Sequence, residues 1–323
     1  MKSAHRLAAL ALALCVLGCG GTPRGAGQPA DPPPTLEPVA LPADFGERAM
    51  DHVRTLVGFG ARHAGAPGWQ RSVDYIAGQL ESIGLSAQRD RWDEPAEGLT
   101  FENVSATIPG RVAGTIVIGA HHDTKITSGH PDPAHNFEFC GANDSASGVG
   151  LLLELARHLV AARPAATIEL VFFDGEESVP FRWDLDRALF GSRRFVRLAL
   201  ADRDRVPIRA MVLLDMVGAE DLSIDDESRS DRRLHSIFAA AAKACGHERW
   251  FFANRMQITD DHVPFLDAGI PAIDLIDIAD NPQWHTPDDT LEHLSPRSLR
   301  IVGEVVLTAL PAVVERFVVD RPR

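Results

Sequence analysis

The strongest constraint on the fold of this 323-residue chain is a unit that recurs along it: an apolar run of strand length stopping at His, Asp or Glu. The clearest copy is Leu170-Val-Phe-Phe-Asp-Gly-Glu-Glu177, an aromatic run ending in three carboxylates hinged on a glycine. Such a run reads as a buried strand. Residues 115–120 stop in the same way at His121-His-Asp123-Thr124, and residues 209–214 stop at Asp215. The run 271–276 is followed a few residues later by Trp284-His285. Between the runs lie segments of helical spacing, such as 146–160 with Leu151, Leu152, Leu155 and Leu159. Strand, polar loop and helix in repetition predict an α/β fold: a mixed, mostly parallel central sheet flanked by helices on both faces. In an open sheet of that kind, ligands sit outside the carboxyl ends of the strands.

Taken singly, each ending is ambiguous. The octet fits a strand running into a solvated acidic turn as well as it fits a ligand site. Asp144, in Gly141-Ala-Asn-Asp144-Ser-Ala-Ser-Gly148 at the entrance to a helix, fits an N-cap as well as a ligand. Four endings converging on one sheet edge would assemble His, Asp and Glu with no thiolate. That donor set suits zinc with an open coordination position, the catalytic type. Two adjacent glutamates could then divide the work, one holding a metal and one handling a proton.

The remaining features set bounds. A net charge of -13 argues against nucleic acid as a partner, because phosphate binding needs a basic face. Residues 1–19 read as a signal segment, with Lys2 and Arg6 ahead of a short apolar core and Val16-Leu17-Gly18-Cys19 at its end. That core is too short to stand as a spanning helix. The ending resembles a bacterial lipobox, which implies export, lipidation of Cys19 and attachment to a membrane on the periplasmic side or at the cell surface. Leu17 is a less usual residue there, so plain secretion is the alternative. Residues 20–44, rich in Gly and Pro, read as a tether. No repeat or second tether interrupts residues 45–317, so 45–323 are expected to form a single catalytic domain, acting as a monomer. The glycine-rich loop 58–68 lacks the Lys-Ser/Thr ending of a phosphate cradle and reads as a structural turn, with His63 on the surface. Residues 103–108 and 115–120 read as neighbouring strands. Cys140 and Cys245 could pair or stay free, and no C-x-x-C spacing exists to hold a metal.

In order along the chain, His121-x-Asp123, Gly141-Ala-Asn-Asp144, Glu176-Glu177, Asp215 and His285-Thr286 resemble the signature of the di-zinc aminopeptidases. A narrower set resembles their relatives, the glutaminyl cyclases: Phe172-Phe-Asp-Gly-Glu-Glu177, Trp183, Phe190-Gly-Ser-Arg193, Leu213-Leu-Asp-Met-Val-Gly218, Asp260-Asp-His-Val-Pro-Phe-Leu266 and Trp284-His-Thr-Pro-Asp-Asp289. The likeness spans nearly all of residues 45–317. It implies a zinc aminopeptidase-like α/β/α sandwich that converts the N-terminal glutamine of peptides to pyroglutamate with release of ammonia. Carried over, it makes Asp144, Glu177 and His285 ligands of one zinc ion and Glu176 the acid/base. Asp260 and Asp215 would support Glu176 in an acidic network, and Trp183 and Trp284 would line the substrate pocket. His121 and Asp123 would stand behind the zinc or serve a second one.

The chain departs from the cyclase pattern in two places. Asp274 stands where the animal cyclases carry a histidine, and Ala120 and Val149 stand where the secreted animal enzymes carry a disulfide. The chief alternative is a zinc aminopeptidase on the same fold, with two zinc ions and His121 and Asp215 completing the second site. A surface lipoprotein that binds peptides without turnover is a further alternative. Asp288 and Asp289 are expected to cap or solvate the segment after them, and His262 to orient a neighbouring group.

Overall fold

The computed structural model describes residues 36–320. The signal segment, Cys19 and most of the tether lie outside them.

Four strands whose apolar residues run almost without a break form the centre of a six-stranded sheet: β3 (Val112–His121), β4 (Ala166–Phe173), β5 (Ile208–Asp215) and β8 (Ala272–Ile276). They lie parallel, in the order β4-β3-β5-β8, and continuous apolar runs are what a strand covered on both faces requires. On the far side of β4, β2 (Leu99–Ile108) runs antiparallel, and β1 (Gln88–Glu94) pairs antiparallel with β2 at the edge. The mixed, mostly parallel sheet with helices on both faces, as expected from the sequence, is borne out.

Alternate strand residues serve two cores. Ile116, Ile118, Leu170, Phe172, Val212 and Leu214 point into a large core shared with α1 (Phe45–Val57), α2 (Pro67–Ser82), α3 (Gly148–Ala162), α5 (Arg232–Ala244) and α7 (Pro296–Val314). Val117, Val171, Phe173, Met211 and Leu213 point the other way, onto α4 (Phe190–Ala201) and α6 (His262–Asp267). Burying a side chain of this size contributes roughly 1.5–3 kcal/mol.

One adjacency differs from the sequence reading. The strands at 103–108 and 115–120 are not neighbours, because β4 lies between them. From β3 the chain crosses through α3 to the flank of β3, where β4 pairs with it, and β2 is left to pair with the outer edge of β4. From β4 the chain then crosses through α4 to the opposite flank of β3, where β5 lies. The connections therefore diverge at β3, and such a switch point opens a crevice at the carboxyl ends of the strands.

Three strands carried no strong sequence signal. The edge strand β1, Gln-Arg-Asp-Arg-Trp-Asp-Glu, is mostly charged, as an exposed edge often is. The others, β6 (Ile224–Glu227) and β7 (Phe251–Met256), form a separate parallel pair. Part of the stretch read as tether packs against the body. Residues 36–42 run back along α7, from Pro42, whose carbonyl accepts from Arg300, to Val39, whose N–H donates to Thr308 at 3.0 Å. Cys140 and Cys245 are both free.

Candidate active site

The carboxyl ends of β3, β4 and β5 deliver His121, the Asp174–Glu177 turn and Asp215 to one edge of the sheet. Gly175 hinges the turn at φ +65°, and a Cβ there would meet the ring of Phe101 at 2.7 Å, so any other residue would be strained on both counts. Gly141 has the same role before Asp144. Its φ is +53°, and a Cβ would come within 2.1 Å of the Asp144 carbonyl. The Asp144–Ser145 peptide is cis. His285 enters from the loop after β8 with its backbone at φ +53°, a conformation that bulky residues rarely adopt and that marks a functional position.

Asp144 lies between two imidazoles. Its Oδ2 is 3.3 Å from His285 Nε2, which is 2.8 Å from Glu177 Oε1. Its Oδ1 is 3.2 Å from His121 Nε2, which is also 3.2 Å from Asp215 Oδ1. Two sets of three donor atoms result, Asp144–Glu177–His285 and His121–Asp144–Asp215, each with all atoms within 4.8 Å of one another. The field at this cluster favours positive charge. Burial opposes protonation of His285, yet Glu177 and Asp144 push its pKa up to about 10. His121 is likewise raised well above the ordinary range by Asp215, Asp123 and Asp144, against the opposing effect of burial. Burial would raise Asp144, but the two imidazoles hold its carboxyl far below the usual carboxylate range. A dication takes the place of such protons readily.

The structure also shows what holds these donors. Asp123 joins neither set. Its Oδ1 accepts from Glu176 N at 3.1 Å, its Oδ2 accepts from Glu177 N at 3.2 Å, and His121 Nδ1 lies 3.4 Å away. Asp289, expected to cap or solvate the next segment, is instead 2% exposed and turned the other way. Its carboxylate accepts from the backbone N–H of Asn143 at 2.7 Å and of Asp144 at 3.1 Å, because those two donors at the head of a buried turn have no other partner. Asp288 is exposed.

Two buried cations complete this support. Arg62, in the glycine-rich loop, is fully buried and donates to the carbonyls of Cys140 at 2.6 Å and Gly141 at 2.8 Å, bracing the Asp144 loop from below. Burial lowers its pKa only to about 10, so it stays charged. Lys125 Nζ donates to Ser178 O at 2.8 Å and lies 3.2 Å from Glu177 Oε2. A signal for Lys125 existed in its place just after the His121–Thr124 strand end. Arg62 had none, since a lone arginine among glycines reads as solvated. His63 is only half-buried and contacts the carbonyl of Ala64.

Above the donors opens a cavity of about 320 Å³. Glu176, Asp215 and Asp260 line its acidic side, and Phe181, Ile258, Ile278, Trp183 and Trp284 its apolar side. Each tryptophan is 42% exposed, and the Trp284 ring stacks on His285 at 4.3 Å. Burial, followed by the charge of Asp260, raises Glu176 well above the usual carboxylate range. That is the direction required of a proton carrier working near neutrality.

A buried set of imidazole and carboxylate donors lies at the carboxyl edge of the sheet, and the chain belongs to peptidase family M28, whose model matches residues 103–310. The relatives it resembles are more particular. It is 27% identical over 307 residues to the glutaminyl-peptide cyclotransferase of Bos taurus, covering 84% of this chain and 83% of that one. Among solved structures it is similar to an Acidobacteriales bacterium glutaminyl cyclase, at 31% identity and a TM-score of 0.77, covering 90% of this chain and 100% of that one. It is also similar to a leucine aminopeptidase precursor from Bacteroides thetaiotaomicron, at 29% identity and a TM-score of 0.75, covering 84% and 98%. The resemblance read from the sequence motifs is thus borne out. Glutaminyl-peptide cyclotransferases are acyltransferases.

Proposed function

We propose that this protein is a zinc-dependent glutaminyl-peptide cyclotransferase, which closes the N-terminal glutamine of a peptide to pyroglutamate and releases ammonia. The observation that carries this reading is the pocket itself: a half-exposed tryptophan pair above a buried proton carrier and an Asp–Glu–His donor set. The donor atoms of Asp144, Glu177 and His285 suit zinc, being one imidazole nitrogen and two carboxylate oxygens within reach of a single ion. Zinc bound there would polarise the carboxamide oxygen as a Lewis acid.

The remaining work falls to the chain. Trp183, Trp284 and Ile278 enclose the glutamine side chain and exclude water that would compete with the amine. Holding the residue folded places its α-amine against the γ-carboxamide carbon, which replaces an intermolecular encounter by a unimolecular one. The amine nitrogen bonds to that carbon as the carbon–nitrogen bond to the amide NH₂ breaks. Glu176 takes a proton from the amine and delivers it to the departing nitrogen, which leaves as ammonia. Asp260 and Asp215, facing the same cavity, hold the acidic side of the pocket in place.

One observation favours a second reading. Asp144 offers an oxygen to each of two donor sets, as a carboxylate shared by two metal ions would, and two ions can hydrolyse an amide by clamping a hydroxide. A glutaminyl peptide and a leucyl peptide offered side by side separate the readings. Ammonia from the first with the second intact supports the cyclase, and free amino acids from either sink it.

The sequence reading of residues 1–19 supports a further proposal, that the protein is exported and held at a membrane through a lipid on Cys19.

A further inference from the structure

Asp260 lines the pocket, and around it lies a group of ionisable side chains with too few hydrogen-bond donors. Asp261 is next in the chain, His262 opens α6, Asp274 sits in the middle of β8 and Glu227 ends β6, and none of the five is more than 2% exposed. His262 Nε2 is 3.3 Å from Glu227 Oε2, and its Nδ1 is 3.4 Å from Asp274 Oδ2. Asp260 and Asp274 are in side-chain contact, and each has an oxygen within 4.8 Å of a His262 ring nitrogen. Asp260 Oδ2 and both oxygens of Asp274 receive no N–H or O–H from any other described residue. Two carboxylates touching in a dry site cannot both be charged, so one of them keeps a proton. Asp274 is the enclosed member. Burial, then Asp260, Asp215 and Glu227, raise it well above the usual range, whereas Asp260 rises to about 7.

We propose that Asp274 is a positioning residue kept as a neutral carboxylic acid, whose O–H donates to Asp260 Oδ2 so that Asp260 presents a fixed carboxylate to the pocket. Glu227 holds His262, and His262 in turn faces the second oxygen of Asp274. A buried acid that stays neutral in order to donate is a known use of a raised pKa. The effect on turnover rests on the cyclase reading, but the protonated acid does not.

The decisive measurement is therefore made on the folded protein without substrate. In infrared difference spectra at neutral pH, Asp274→Asn should remove one carbonyl stretch of a protonated carboxylic acid, which lies clear of carboxylate bands. Kinetics supply the second readout. Asp274→Asn keeps an N–H donor for Asp260 and should retain most of the turnover, with a flattened alkaline limb in its pH profile. Asp274→Ala removes the donor and should lower kcat about 10- to 100-fold with KM little changed. Unchanged spectra overturn the proposal, as does equal loss of activity in the two variants. Loss of a bound metal ion from Asp274→Asn also overturns it, by assigning Asp260, His262 and Asp274 to a cation instead. A wild-type protein without cyclase activity would sink the function proposed above while the spectra still decide the state of Asp274.

Discussion

Glu176 and Glu177 are adjacent carboxylates given different work by where their side chains end up. Glu177 is committed to His285 and Lys125, while Glu176 faces the cavity beside Asp260. Replacing Glu176 by Gln keeps the shape and removes the proton carrier. Ammonia release should fall about 10²- to 10⁴-fold, with zinc content by elemental analysis unchanged. A smaller group nearby makes a stability prediction. Burial opposes ionisation of Glu227, but His262 and the backbone N–H groups of Arg229 and Ser230 outweigh it and bring its pKa from 4.5 down to about 2. A carboxyl depressed in the folded state adds stability that is fully present above its ordinary pKa and is lost as pH falls through the folded value. Glu227→Gln should therefore cost up to about 3 kcal/mol in denaturant unfolding at pH 7, with the gap to wild type closing between pH 4.5 and pH 2. A gap independent of pH would contradict the assignment. At this scale the sequence was most readable for residues that end a strand. His121, Glu176, Glu177 and Asp215 were legible because an apolar run announced where each would point. Arg62 and Asp289 were not, because their partners are backbone atoms of a turn whose path no local pattern encodes.

Among the elements, the turn carrying Asp144 depends on support from three separate segments. Arg62 bonds its first carbonyls, Asp289 its N–H groups, and Asp123 accepts the neighbouring glutamate amides while its own carbonyl accepts from Ser145 at 2.9 Å. Removing a group that orients a ligand typically costs ten- to a hundred-fold in metal affinity. Asp289→Ala should weaken zinc binding by about that factor in a competition titration, although Asp289 belongs to neither donor set. Unchanged affinity would mean that the turn holds itself. Element identity was legible wherever burial was two-sided, as in β3, β4, β5 and β8, or amphipathic, as in α1 and α3. It failed for β1, whose Arg89 and Arg91 serve Glu102 across the strand pair rather than a core. The order β2-β4-β3 could not be read from chain order, because a crossover helix can return a strand to either flank.

For the molecule as a whole, a metal bound only by the native state adds to its stability by mass action. Dialysis against a chelator should lower the Tm, and added zinc should restore both the Tm and activity together. Restoration of Tm without activity would point to an ion held away from the pocket. Expression of the full chain should place it in the membrane fraction, and Cys19→Ser should release it. The segment at residues 36–42 bears on how such a protein would work. It leaves the start of α7, near the strand ends that build the site, and travels toward the middle of that helix, beyond whose far end Val318 lies beside Gly114 at the beginning of β3. A pull arriving through Val39 is thus delivered on the side where strands begin. The pocket opens at the opposite ends of those strands, clear of residues 36–42.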